Sequence, residues 1–223
     1  MQFCAVFADP NNMLIGLTGK YCAGKNHIAQ IIEKRGIPVL DVDKLGHKVL
    51  EAEKQTIFAQ FGADLQKDDG TLDRRLLGTK VHGKPEELAK LEAIVHPGVN
   101  RLTDEWIAEK TKEGCKACVI NAALIHKSSA FDKLDFIIIV TAPYLTRLIR
   151  AKRRDRLLWK ELIKRFASQK DFNSQYLSKK AEIYKVENCG LEIRHGSQIR
   201  ASSNGGQHQK LERRIDKILE GIY

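Results

Sequence analysis

The stretch GLTGKYCAGKNHIA, residues 16–29, decides the fold of this chain. Gly19, Gly24 and Lys25 have the spacing of a phosphate-binding loop, G-x-x-x-x-G-K-[ST], but Asn26 replaces the hydroxyl residue that ends the motif. The apolar run MLIGLT before the loop predicts a buried strand, and the apolar residues after it recur at helical spacing. A phosphate loop requires this order of strand, loop and helix.

The chemistry of the loop follows from its residue types. Glycines let backbone N–H groups converge on an anion, and the N-terminus of the following helix adds a favourable dipole. Lys25 is expected to reach the β- and γ-phosphates of a nucleotide. An asparagine oxygen can ligate a hard cation directly or through water, so we interpret a metal site at Asn26 as altered rather than lost. The alternative is a tight strand-to-helix turn with an exposed lysine.

Short apolar runs and helical patterns alternate along the rest of the chain. A long helix is expected to follow HPGVN (residues 96–100) and to end near Gly114, and a charged helical region is expected from about Pro143 to Lys180. Further strands are predicted at residues 37–40, 117–121, 136–141 and 184–187, and a last helix at residues 210–222. The pattern predicts an α/β fold: a P-loop core with a parallel five-stranded sheet flanked by helices.

The charge of the chain favours acidic partners. Its formal net charge is +10, which suits nucleic acid or small phosphate-rich ligands, and charge alone does not separate the two. Proteins that bind nucleic acid often interleave aromatic with basic residues. Aromatic residues make up only 7% of this chain, and the dense basic run RLIRAKRRDR (residues 147–156) contains none. The composition therefore favours a small phosphorylated ligand over nucleic acid.

The cysteines and apolar runs indicate a cytoplasmic protein. Five cysteines without regular spacing do not predict a disulfide framework, and Cys115 and Cys118 are expected to be free thiols rather than zinc ligands. Cys22 lies in the phosphate loop beside a helix N-terminus, a setting that lowers the pKa of a thiol, and its alkylation is expected to block ATP. The alternative is a buried and inert thiol. No apolar run reaches the roughly 18 residues of a membrane span, and no signal peptide is evident.

Six motifs in order resemble the dephospho-CoA kinase family. DGTLDRRLL (residues 69–77) is the most specific of them, because other phosphate-loop proteins lack it. The others are IGLTGKYCAGKN (15–26), GIPVLDVD (36–43), VHPGV (95–99), VINAALI (119–125) and LIRAKRRD (148–155). The resemblance implies transfer of the γ-phosphoryl group of ATP, with Mg²⁺, to the ribose 3′-hydroxyl of dephospho-CoA, the last step of coenzyme A synthesis.

The resemblance also implies an organisation for the single kinase domain. The nucleotide-binding core is expected at residues 14–45 and 115–190, and a helical substrate-side insertion at residues 46–114. A lid is expected within residues 144–180 and a C-terminal helix at residues 208–222. The implied partners are ATP and dephospho-CoA, with no membrane and no nucleic acid.

The resemblance assigns catalytic roles to three residues. Asp43 is implied as the base that takes the proton of the 3′-hydroxyl, and a carboxylate at the end of a strand suits that task. The alternative is that Asp41 or Asp43 only caps the next helix. Lys25 is implied at the phosphates. Arg150 is implied to stabilise the transferring phosphate through its bidentate donors, assisted by Arg153 and Arg154, and the alternative is a solvated basic helix face.

Binding residues follow in the same way. Arg74 and His96 are implied on the acceptor side, although a histidine before proline is also a common structural residue, and Asn188 falls in the segment near the adenine. The ATP contacts implied along the loop are Gly19, Lys20, Tyr21, Cys22, Ala23, Gly24, Lys25, Asn26 and His27.

The chain departs from the family pattern at several positions. Asn121 and Ala123 stand where the family often has aspartate and then proline, and Lys127 stands where glutamate is common. With Asn26, two magnesium-shell positions are neutral amides.

Two other hypotheses remain open. Another phosphate-loop kinase is disfavoured by DGTLDRR, and a non-catalytic nucleotide or nucleic-acid binder with a degenerate loop is disfavoured by the intact Asp43, Lys25 and Arg150.

Overall fold

A parallel sheet of five strands forms the centre of the computed structural model, which describes residues 12–155, 157–167, 182–189 and 205–220. The strands are β1 (Met13–Gly19), β2 (Val39–Asp41), β3 (Ala117–Asn121), β4 (Phe136–Thr141) and β5 (Glu182–Glu187). Their order across the sheet is β2-β3-β1-β4-β5, and every pair is parallel. The predicted fold class is confirmed.

The strand register brings the predicted site residues to one edge of the sheet. Gly19 at the end of β1 pairs with Val140 of β4, and Asp41 at the end of β2 pairs with Asn121 at the end of β3. Because the carboxyl ends of parallel strands meet at the same edge, the loops that follow them surround one crevice. The phosphate loop lies near the middle of this edge, since β1 is the central strand.

Helices cover both faces of the sheet because its strands are apolar on both sides. One face packs against α1 (Lys25–Glu33) and the last described helix, α8 (Gly205–Leu219), through Ile28, Ile32 and Ile215. The other face packs against α5 (Pro85–Lys112) and the segment that follows β3, through Ile107 and Ile125. The last helix was predicted over residues 210–222 and begins five residues earlier.

Four helices between β2 and β3 have a small core of their own. They are α2 (Val42–Ala52), α3 (Lys54–Phe61), α4 (Arg74–Val81) and α5. Ile57, Leu65 and Leu77 are buried in this core, and α2 packs along α5. At that contact a Cβ on Gly98 would lie 2.8 Å from Val49 Cγ1, so glycine allows the two helices to approach closely.

The predicted start of the long helix was wrong. HPGVN lies inside α5, which begins at Pro85 with Glu86 and Glu87 in its first turn. Proline at the first helical position and acidic residues in the first turn are ordinary start signals, and both occur at Pro85, although a proline occurs at the expected start as well. Pro97 lacks an N–H and so removes one helical hydrogen bond without ending the helix, because packing against α2 stabilises both halves.

The charged region after β4 forms two helices. These are α6 (Tyr144–Asp155) and α7 (Trp159–Ala167), and they pack together around the buried Leu162 and Phe166. The helical prediction is confirmed as far as residue 167, and the rest of it, to Lys180, lies outside the described residues. Among the helices that the structure describes, none combines the length and apolar character needed to cross a membrane.

Candidate functional site

The two glycines of the phosphate motif are required by space and backbone geometry. A Cβ on Gly19 would lie 2.7 Å from the Val140 carbonyl oxygen, so only glycine lets β1 lie this close to β4. Gly24 has φ of +97° and would place a Cβ 2.1 Å from Asn188 Nδ2. Left-handed backbone is unfavourable for residues with a Cβ, and Gly24 therefore sets the turn from the loop into α1.

The N-terminus of α1 is open toward the loop. Among the residues that the structure describes, no side chain caps it, and its first turn contains no acidic residue. The first backbone N–H groups of a helix have no acceptor within the helix, and they carry its positive dipole end. The loop itself turns through a hydrogen bond from Ala23 N to Lys20 O of 2.9 Å. This arrangement suits a phosphate group.

Lys25 and Asp43 form an ion pair across the crevice. Lys25 Nζ lies 2.6 Å from Asp43 Oδ2, and the Lys25 side chain is only 12% exposed while that of Asp43 is 48% exposed. The other carboxylate oxygen, Asp43 Oδ1, accepts a hydrogen bond of 3.2 Å from the Ala123 backbone N–H. The pair joins the phosphate loop, the first turn of α2 and the end of β3, and it leaves the carboxylate accessible to a ligand.

Asp41 and Asp43 have different partners. Asp41 is the N-cap of α2, and its Oδ1 accepts a hydrogen bond of 3.1 Å from Lys44 N. The capping alternative therefore describes Asp41. Asp43 lies in the first turn beyond the cap and is directed to Lys25, which supports its predicted role as the base.

An amide pair stands at the positions where the family pattern has a hydroxyl and a carboxylate. Asn121 Nδ2 donates to Asn26 Oδ1 at 3.3 Å. Asn121 is 1% exposed, and its Oδ1 has no hydrogen-bond partner among the residues that the structure describes. Neutral amide oxygens are hard donors that fit Mg²⁺. In the described ranges no group of three or more His, Cys, Asp or Glu could hold a metal alone, so ATP phosphates would have to complete the shell.

Arg150 and Asn188 lie against the phosphate loop and donate hydrogen bonds to its carbonyl groups. Arg150 Nη1 lies 3.4 Å from the Cys22 oxygen and 3.1 Å from the Ala23 oxygen, and its Nη2 lies 3.3 Å from Asn188 Oδ1. Asn188 Nδ2 also donates to the Ala23 oxygen, at 3.1 Å. The predicted contact of Arg150 with a transferring phosphate requires the guanidinium to exchange some of these bonds, and that role stays a prediction.

Sequence reasoning missed Arg147. This arginine is only 9% exposed, and it donates to the Ala142 oxygen at 3.2 Å and to the Tyr21 oxygen at 3.4 Å. Its guanidinium carbon lies 4.9 Å from the centre of the Phe166 ring. Its spacing of three residues from Arg150 places both on one face of α6, and that spacing was the available signal.

The expected low pKa of Cys22 was wrong in direction. Burial raises the pKa of the thiol and outweighs the opposing effects of Arg154, Arg150, Arg147 and Arg165, in that order. The residue has φ of +58°, an uncommon backbone conformation for residues other than glycine. Cys22 is therefore a poor nucleophile at neutral pH, despite its place beside a helix N-terminus.

The remaining predicted residues lie in different parts of the structure. Lys20 lies in the loop, and His27 in the first turn of α1 stacks on His208 of α8 with ring centres 5.3 Å apart. Arg74 is the exposed first residue of α4 and His96 is half-buried inside α5, so both belong to the helices between β2 and β3. Their acceptor-side roles stay predictions.

Comparison with known proteins identifies the family. The family model described as dephospho-CoA kinase matches residues 13–188. A dephospho-CoA kinase of Treponema pallidum is 33% identical over 184 residues, which cover 79% of this chain and 87% of that protein.

Solved structures share the fold. The crystal structure of TT1252 from Thermus thermophilus aligns with a TM-score of 0.72 and 26% identity, covering 96% of this chain and 99% of that one. A dephospho-CoA kinase from Campylobacter jejuni aligns with a TM-score of 0.57 and 23% identity, covering 95% and 97%, and it supports the fold.

Proposed function

This chain belongs to the dephospho-CoA kinase family and is an ATP-dependent kinase, and we propose that its Asp43 and phosphate loop phosphorylate the 3′-hydroxyl of dephospho-CoA to give CoA and ADP. The observation that carries this proposal is the contact of Asp43 with Lys25 at the loop. A carboxylate held beside the phosphate-binding lysine is placed to serve both the acceptor hydroxyl and the transferring phosphate.

Binding of ATP uses the loop between Gly19 and His27. Its backbone N–H groups and the N-terminus of α1 surround the β-phosphate, and Lys25 contacts the β- and γ-phosphates. When the γ-phosphate takes over the ammonium of Lys25, Asp43 Oδ2 loses its ion-pair partner and becomes free to accept a proton. The same event that binds ATP therefore prepares the base.

The transfer step needs one proton acceptor. The 3′-oxygen forms a bond to the γ-phosphorus, the bond from that phosphorus to the β,γ-bridging oxygen breaks, and the hydroxyl proton passes to Asp43. The electron pair of the broken bond remains on ADP. Ala123 N–H fixes the carboxylate through its other oxygen and so directs Oδ2 toward the hydroxyl.

The other predicted residues surround these atoms in our proposal. Arg150, with Arg153 and Arg154, stabilises negative charge on the transferring phosphate, and Asn188 lies beside the adenine. Arg74 and His96 contact dephospho-CoA from the substrate-side insertion. The division into core, insertion and lid belongs to the same proposal, and the separate small core of α2–α5 supports it.

Magnesium is the cofactor that the site fits. Asn26 and Asn121 would hold it through their amide oxygens, with the phosphates of ATP. An ion bound there would neutralise part of the negative charge on the phosphates. Both protein donors are neutral amides, and we propose that they bind the ion more weakly than the usual hydroxyl and carboxylate would.

A reducing cytoplasm is the proposed location. Cys22, Cys115, Cys118 and Cys189 form no disulfide among the described residues, as a reducing compartment favours. The C-x-x-C pair is proposed to be free thiols rather than zinc ligands.

An ADP-release assay with dephospho-CoA tests the function directly. The purified protein should release ADP in proportion to the dephospho-CoA added, and mass spectrometry should show CoA as the product. CoA is the matched control acceptor, because its 3′-oxygen already carries a phosphate. Release of ADP only at background rates with Mg²⁺ or Mn²⁺ would refute the proposal, and equal release with CoA would show hydrolysis or a different acceptor.

A further inference from the structure

Tyr21 directs its side chain from the phosphate loop to the α6–α7 pair. Its hydroxyl donates to Asp155 Oδ2 at the end of α6 and lies 3.5 Å from Arg165 Nη1 of α7. Its ring meets the Phe166 ring edge-on with centres 5.5 Å apart, and the Arg154 guanidinium carbon lies 5.1 Å from its centre. One side chain of the loop thus contacts both helices.

The helices hold the backbone of the same loop segment. Arg147 donates to the Tyr21 carbonyl, and Arg150 donates to the carbonyls of Cys22 and Ala23. Three successive carbonyl groups of the loop are therefore bound by arginines of α6. The guanidinium groups that bind them raise the positive potential of the loop beside its anion-binding side.

Asp155 is the acidic member of this contact. Its carboxylate binds the Arg154 guanidinium through two bonds of 2.7 and 3.1 Å. The Asp155 side chain is only 18% exposed, whereas that of Arg154 is 60% exposed. Arg154 is the more exposed partner of the pair, and the less exposed Asp155 carboxylate holds its guanidinium. The Tyr21 hydroxyl supplies the bond from the phosphate loop to Asp155.

We propose that Tyr21 is a positioning residue for ATP binding, which holds the Asp155–Arg154 pair and Arg165 beside the phosphate loop before the nucleotide arrives. The proposal rests on the proposed function of the loop. Phenylalanine at this position keeps the ring contacts with Phe166 and Arg154 but loses the bond to Asp155. Without that bond, Arg154 and Arg165 must be ordered at the cost of nucleotide affinity.

Tyr21→Phe tests the hydroxyl. A hydrogen bond to a charged group is typically strong enough that its loss costs about tenfold in an equilibrium constant. We expect the Kd of ATP by calorimetry and the KM for ATP to rise about tenfold, with the KM for dephospho-CoA unchanged. A merely structural role would lower kcat through the folded fraction and leave the KM for ATP unchanged.

Tyr144→Phe is the matched control. Tyr144 packs on the same Phe166 with ring centres 5.2 Å apart, and among the described residues its hydroxyl has no hydrogen-bond partner. This variant should bind ATP as the wild type does. A similar loss of affinity in both variants would overturn the proposal, because it would show a general effect on the aromatic cluster, and so would an unchanged Kd in Tyr21→Phe.

A double-mutant cycle with Asp155→Ala tests the coupling, because alanine removes the acceptor of the Tyr21 hydroxyl. If the hydroxyl acts through Asp155, Tyr21→Phe should have little further effect on ATP affinity in the Asp155→Ala background. Fully additive effects would overturn the proposal. Because calorimetry measures ATP binding without an acceptor, this result is independent of dephospho-CoA turnover. If the wild type binds ATP but does not phosphorylate dephospho-CoA, the proposed function is refuted. The effect of Tyr21 on ATP affinity is still measured in that case.

Discussion

Replacing Asp43 by asparagine separates catalysis from folding and from nucleotide binding. Asparagine has the same shape but accepts no proton at neutral pH. Removal of a general base lowers turnover by about 10²–10⁴-fold, which corresponds to roughly 3–5 kcal/mol of barrier. The change in folding stability should be far smaller. The Lys25–Asp43 pair has a carboxylate that is 48% exposed, and exposed pairs contribute only about 0.2–1 kcal/mol.

The expected effect on ATP has the opposite sign to the effect on turnover. Asp43 competes with the γ-phosphate for Lys25, because its Oδ2 lies 2.6 Å from the ammonium. A neutral side chain removes that competition and the repulsion between two anions. The Kd of ATP should therefore be unchanged or tighter in Asp43→Asn, while kcat falls.

Asp41→Asn is a matched control two residues away. Asp41 caps α2 through a hydrogen bond from Lys44 N, and asparagine caps helices about as well as aspartate. This variant should keep near wild-type turnover and thermal stability. The assay is ADP release at saturating ATP and dephospho-CoA, with calorimetry for ATP and a melting curve for each protein. Near wild-type kcat in Asp43→Asn, or a larger loss in Asp41→Asn, would refute the assignment of the base.

Three further predictions concern the loop and the core. Asn26→Ser combined with Asn121→Asp should lower the Mg²⁺ concentration for half-maximal turnover. Asn26→Ser alone should lower it less, because that change leaves the Asn121 amide without its acceptor. If neither variant changes that concentration, Asn26 does not contact the metal. Gly24→Ala should lower the free energy of unfolding in urea by more than Gly36→Ala. Both positions have positive φ, at which a side chain costs about 1–2 kcal/mol, but only the Cβ at residue 24 would also meet Asn188. Equal losses in the two variants would contradict that contact. Burial raises the pKa of Cys118 from 9.0 to about 12, so above pH 9 the thiol ionises when the protein unfolds. The free energy of unfolding of the wild type should therefore fall by up to about 1.4 kcal/mol per pH unit relative to that of Cys118→Ala. Parallel plots of unfolding free energy against pH for the two proteins would refute the shift.

The phosphate loop and the alternation of strands and helices followed from the sequence alone because their signals are local. MLIGLT, GKYCAGK and the apolar spacing after Lys25 each indicate the conformation of a few neighbouring residues. The family motifs, above all DGTLDRRLL, then connected those elements to a reaction, and the match over residues 13–188 confirms the connection.

Where local signals conflicted, only packing decided between them. Pro85 and Pro97 both have helix-start character, and the contact between Gly98 and Val49 shows that α5 continues through the second proline. The family motif favours Asp43 as the base but leaves open which aspartate caps α2, and the bond from Lys44 N to Asp41 identifies the cap.

The electrostatics of the site also depended on the tertiary structure. The pKa of Cys22 is set by the balance of burial against four arginines that are distant in sequence, and a helix N-terminus alone predicted the wrong sign. Arg147 lies in the run whose alternative interpretation was a solvated basic face, yet it packs on the Phe166 ring and donates to the Tyr21 carbonyl. The contact of Tyr21 with Asp155 joins residues 134 positions apart. No spacing rule reports such a contact, because it exists only once the loop and both helices have packed together.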